Sequence, residues 1–219
     1  MTLYELIIFV SSFSTIIPIV VGLINRKQLD KERWWLMGLL FFALIIQSYS
    51  YGLFLQKSNN LFLLHFYIPV EFIILLLIYS IWFDSKRTKT SFLIFGGLFL
   101  SLSVINSLFF QPLEGFNSYA ATSAYIIFIL LSIAYFIKLL RDLNVETEAV
   151  GISLEKNPRF WINTGILIYF SSSLLIYAVS NTLLKENPEM TQVFWGVHSL
   201  FNILHYILYA IGLWLPAHR

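Results

Sequence analysis

Seven apolar stretches, separated by short polar links, are the feature that most restricts this chain. They run approximately Tyr4–Ile24, Trp34–Leu55, Leu61–Phe83, Ser91–Phe110, Tyr119–Leu140, Phe160–Leu184 and Thr191–Trp214. Each is roughly 20–25 residues long, the length at which a helix crosses the hydrocarbon core of a bilayer. Backbone groups have no water to bond at that depth, so each stretch must satisfy its own hydrogen bonds as a helix. Composition points the same way. Only 12% of the residues are charged, against about 25% in soluble domains, and the mean hydropathy is +0.76. The expected fold is an all-α integral membrane protein: a single seven-transmembrane helix bundle over residues 1–219. The first stretch lacks a basic leader and a small-residue cleavage signature, so it reads as a retained span and not a removed signal peptide.

Charge distribution sets the expected orientation. Arg26, Lys27, Lys31 and Arg33 lie in the first link, and Lys86, Arg87 and Lys89 in the third. Lys138, Arg141, Lys156 and Arg159 flank or occupy the fifth, and Arg219 stands at position 219, so twelve of the fourteen basic residues fall on one side. Only Lys57 and Lys185 fall on the other. The positive-inside rule then predicts the N-terminus outside and the C-terminus in the cytoplasm, in a cell membrane of bacterial inner-membrane type. Trp34, Trp35, Trp82, Trp161 and Trp214 near the segment ends fit interfacial aromatic belts. The net charge of +2 gives no reason to expect a nucleic-acid partner, and the absence of cysteine excludes thiolate chemistry and disulfides.

The third stretch carries Glu71 at mid-depth. An ionisable group there is costly unless paired or hydrated, and is read as functional by default. Tyr67 shares its helical face; His65, six residues away, does not. Pro69 deprives the His65 carbonyl of its helical donor, and Pro18 is expected to loosen the first helix in the same way. In the seventh stretch Trp195, His198, Ser199, Asn202, His205, Tyr206 and Tyr209 recur at spacings of three and four, which places them on one face. The sixth offers Asn163, Ser173, Tyr177 and Asn181. The first adds Ser11, Ser14 and Thr15, the second Gln47, Ser50 and Tyr51, and the fourth Asn106. Such faces must turn inward, either as polar seams that glue helices together or as the wall of a hydrated cavity. The expected ligand-binding set is Glu71, His198, Asn202, His205, Asn163, Tyr67, Ser173 and Tyr206. In it Glu71 is polar anchor or protonation switch, and His205 is its candidate partner.

Trp161, Gly165 and Tyr169 in the sixth stretch, with Asn202, Tyr209 and Trp214 in the seventh, resemble the bacterial seven-transmembrane sensor modules associated with histidine kinases. The resemblance covers about a quarter of the chain. It implies a receptor-like module that binds a small molecule and signals through a separate cytoplasmic protein, since nothing in this sequence carries kinase chemistry. Two alternatives stand beside it. The three-plus-one-plus-three topology is similar to that of small sugar transporters, and Glu71 could carry a proton, but Pro18 has no counterpart in the fifth stretch. His65, His198, His205 and Glu71 are residue types that bind zinc, as in ceramidase-like hydrolases, yet seven residues separate His198 from His205, about 10.5 Å along a helix, too far for one ion. No metal, cofactor or catalytic residue is therefore expected. A retinal protein is excluded by the lack of lysine after Thr191.

Overall fold

The computed structural model describes the backbone at residues 2–150, 154–186 and 188–216, and the side chains at all of these but 143–150, 181, 183–186 and 188. Among the described residues the chain is helical throughout, with no strand. The helices are α1 (Leu3–Phe13), α2 (Ile16–Ile24), α3 (Lys31–Leu55), α4 (Phe62–Phe83), α5 (Lys86–Ile105), α6 (Ser118–Val150), α7 (Pro158–Glu186) and α8 (Pro188–Trp214). They supply seven stretches long and apolar enough to cross a membrane, with α1 and α2 forming one of them. Asn181, Lys185 and Arg219, used in the sequence reading, lie outside the described side chains.

The spans pack as a closed ring. The first span (α1 and α2) lies between α3 and α8; α3 meets α4, α4 meets α6, α6 meets α7, and α7 meets α8. The fourth span, α5, packs mainly on α4 outside this ring. Its Leu93 and Leu102 are largely exposed. The core is aromatic: Phe72 stacks on Phe99 at 3.7 Å, and Trp82 on Tyr135 at 4.7 Å.

Two irregularities have local causes. Pro18 has no N–H for the Ser14 carbonyl, which accepts instead from the Ile17 N–H at 3.0 Å, and the span breaks at Ser14–Thr15. Pro69, by contrast, sits inside an uninterrupted α4. After α5 the chain widens into a π turn over Asn106–Phe110, closed by the Gln111 N–H on the Asn106 carbonyl at 2.8 Å. The Asn106 amide also donates to Asn117 Oδ1 at 2.9 Å, and the Gln111 amide to the Ser118 hydroxyl at 2.7 Å. This buried polar knot holds the link that follows against the bundle.

The first, third and fifth links share one end of the ring. There the buried Arg33 guanidinium donates to the carbonyls of Leu215 (2.7 Å) and Gln28 (2.8 Å) and to Asp30 Oδ1 (3.0 Å). Arg159 Nε donates to buried Glu32 at 2.8 Å. Gly212 lets α8 approach α7 closely: a Cβ there would stand 2.5 Å from Ile162 Cγ1 and 3.0 Å from the Pro158 carbonyl oxygen. α6 continues through Val150, beyond the apolar stretch expected to end at Leu140.

Candidate functional site

The opposite end of the ring is not closed. A cavity of about 400 Å³ enters it between the first, second, third, sixth and seventh spans, a volume in the range of small-molecule sites. Its wall includes Tyr67 on α4, Tyr169 and Tyr177 on α7, and Trp195, His198 and Asn202 on α8. Ser11 and Gln47 complete it from α1 and α3, and Phe116 from the link after the π turn. Among the described residues no Lys, Arg, Asp or Glu lines it.

Several polar wall residues are fixed by hydrogen bonds to neighbouring helices. Asn202 Nδ2 donates to Ser11 Oγ at 3.0 Å, tying α8 to the broken first span. Ser11 stays in place because the Ser14 hydroxyl, at the break, donates to its carbonyl at 2.6 Å. Gln47 Nε2 donates to the Tyr206 hydroxyl at 2.6 Å, and its Oε1 accepts from the Thr15 hydroxyl at 3.1 Å. His198 Nδ1 is 2.9 Å from the Ser173 hydroxyl. Its ring stands 5.2 Å from Trp195 and 5.5 Å from both Tyr169 and Tyr177. Phe116 closes over this group, 5.1 Å from Tyr177 and 5.8 Å from Trp195.

Glu71 lies one layer below. It is 4% exposed, within the bundle and not toward lipid, and the Tyr67 hydroxyl donates to its Oε1 at 2.8 Å. Tyr67 therefore faces the cavity with its ring and the carboxyl group with its oxygen. Four residues separate the two, so one helical face presents both.

The eight expected site residues thus divide. Tyr67, His198 and Asn202 line the cavity. Glu71, Ser173 and Tyr206 stand behind its wall and position residues that do. Asn163 does not belong to the site. Its Oδ1 accepts from the Tyr79 hydroxyl at 2.7 Å and its Nδ2 donates to the Ser132 carbonyl at 3.0 Å; the hydroxyls of Tyr79 and Ser132 are themselves 2.6 Å apart. That is a polar seam joining α4, α6 and α7. His205 is not the partner of Glu71 either. Both ring nitrogens lack a hydrogen-bond partner, and the imidazole is packed against Tyr169 (4.6 Å), Tyr206 (4.8 Å) and Tyr209 (4.1 Å).

His65 is engaged away from the cavity, its ring nitrogens 2.8 Å from the Ser107 hydroxyl and 3.2 Å from the Gly115 carbonyl. Among the described residues no three His, Asp or Glu side chains gather as a metal-binding group. The expected ligand set left out Gln47, Ser11, Tyr177 and Trp195, which the polar faces had offered, and Phe116, which they had not. Gln47 was visible as a polar residue in an apolar stretch; Phe116, in a link, carried no signal. Comparison with family models, with curated proteins and with solved structures finds no match. The functional argument therefore rests on the cavity.

Proposed function

We propose that this chain is a receptor-like membrane module that takes a small molecule into the cavity between its first, second, third, sixth and seventh spans. The observation that carries the reading is the contrast between a built, ring-lined cavity at one end and side-chain locks at the other. A sensing device needs two helix packings with different affinity for its ligand. The broken first span, bonded to both α3 and α8 through Thr15 and Ser11, is the element a ligand on Asn202 and Gln47 would bias. In the orientation set by the basic residues, the cavity opens outside the cell and the locked end faces the cytoplasm, where a separate signalling protein would read the change. A multi-pass location in an inner membrane of bacterial type follows from the same orientation.

One observation favours transport as the second reading. Discontinuous helices line the sites of many carriers, and the break at Ser14–Thr15 adjoins this cavity. A single experiment separates the two. The purified full chain is reconstituted in proteoliposomes and screened with a panel of small solutes, reading both thermal stabilisation and counterflow. Stabilisation without flux supports the receptor; flux with stabilisation supports the carrier. Absence of both, with Ile8→Trp behaving like the parent protein, removes the proposed site.

A further inference from the structure

The cavity's chemistry selects a ligand class. Resting on the reading of the cavity as a ligand site, we infer that it takes an organic cation, an amine or quaternary ammonium head carried on a small body. Three independent features lead there. The wall contains aromatic faces in number, with Tyr169, Tyr177, Trp195 and Phe116 in one cluster around His198. Tyr and Trp rings attract a cation through their quadrupoles, most strongly where water is excluded. Among the described residues no Lys or Arg lines the cavity to repel a positive charge or to receive an anionic one.

The second feature is beneath the floor. The buried carboxyl group of Glu71 accepts from the hydroxyl of the cavity residue Tyr67. A hydroxyl that donates to a carboxyl leaves its ring facing the cavity and electron-rich.

The third is at the mouth. Glu5, Glu114 and Glu189 each lie within two residues of a wall residue: Tyr4, Phe116 and Thr191 respectively. By sequence, the terminus and links on that side carry Glu5, Glu114, Glu186 and Glu189 against Lys57 and Lys185, an acidic balance. Such a field raises the local concentration of cations and slows the entry of anions. A neutral sugar would use the amides and hydroxyls equally well but would gain nothing from the acidic mouth or from the carboxyl group below.

The test uses a matched pair of probes on the purified full chain in nanodiscs. Choline is compared with 3,3-dimethyl-1-butanol, which keeps the shape and replaces the charged nitrogen by carbon; glucose and benzoate serve as neutral and anionic probes. The expected result is choline binding at least about tenfold tighter than its carbon isostere, the scale of a water-excluded cation–π site. That preference should be lost in Trp195→Ala and kept in Trp195→Phe. Equal binding of the two, or binding of glucose or benzoate alone, would overturn the cation assignment and leave the ligand cavity standing. No binding of choline would also overturn it. Whether the cavity reading falls too is then read from labelling of Ser199→Cys by a small impermeant thiol reagent in the same preparation: labelling retains the cavity, and no labelling removes both.

Discussion

The two ends of this bundle solve the same problem in opposite ways. Both bury polar groups among helices long and apolar enough to cross a membrane, where an unsatisfied group is costly. At the basic end the buried charged groups meet protein partners: Arg33 reaches the carbonyls that close α8, and Arg159 reaches Glu32. Helices meet there at Gly212 with no space for a side chain. At the other end the polar groups bond to one another along the wall and leave about 400 Å³ between them. Closure by salt bridges and close approach gives a rigid base. An aromatic and amide wall around a space gives a surface that can take a guest. The lesson is that polarity in a membrane bundle becomes a site only where the partners stand behind the wall and not across it.

The contrast can be broken most forcefully at the base. Arg33→Met removes the guanidinium that the Asp30 carboxylate and the Leu215 and Gln28 carbonyls share. Removing one side of a buried charged arrangement costs about 3–5 kcal/mol, and thermal unfolding in detergent should show that loss. Gly212→Ala forces a methyl group against Ile162 and the Pro158 carbonyl; overpacking of this kind costs about 1–3 kcal/mol. Tyr79→Phe removes the hydroxyl that joins Asn163 to Ser132. It should cost about 1 kcal/mol, as interhelical hydrogen bonds in membranes do, and leave probe binding at the cavity unchanged, because the seam is not part of the wall. Ile8→Trp does the reverse. It fills the cavity from α1, should change stability by no more than about 0.5 kcal/mol, and should abolish probe binding measured by calorimetry.

The smallest effect belongs to the exposed pair beyond α4. The Lys89 ammonium, 2.9 Å away, holds the Asp84 carboxyl below its ordinary range. A depressed carboxylate stabilises the fold at neutral pH and loses that contribution as pH falls through the lowered value. Because Asp84 is fully exposed and such pairs are screened, Lys89→Ala should leave the melting temperature unchanged between neutral and mildly acidic pH.

The spans were legible because a bilayer fixes the length of an apolar helix, and Glu71 was legible as an interior residue because a carboxyl group facing lipid is too costly. The break in the first span was foretold by Pro18, through the donor that its ring removes. Other features were hidden for physical reasons. Arg33 and Arg159 read as interfacial charges, since nothing in a single sequence tells a snorkelling arginine from one that caps another helix. The α8 stripe fixed a face but not its neighbours. Asn202 meets a cavity and His205 meets three tyrosines, although both lie on that face, because different helices oppose them. Asn163 looked like His198 in kind, and only the Tyr79 and Ser132 hydroxyls reveal it as glue. The π turn at Asn106 has no periodic signature at all.

The central claim is that one end of the ring holds an accessible cavity and the other is closed by side chains. The chain contains no cysteine, so single thiols can report on each end without background. Ser199→Cys places one in the cavity wall, and Leu36→Cys places one at the buried start of α3. Both are treated in intact membranes with a small, charged, membrane-impermeant thiol reagent. The account predicts rapid labelling at position 199 and none at position 36. An unreactive thiol at 199, or equal reaction at both, would contradict it.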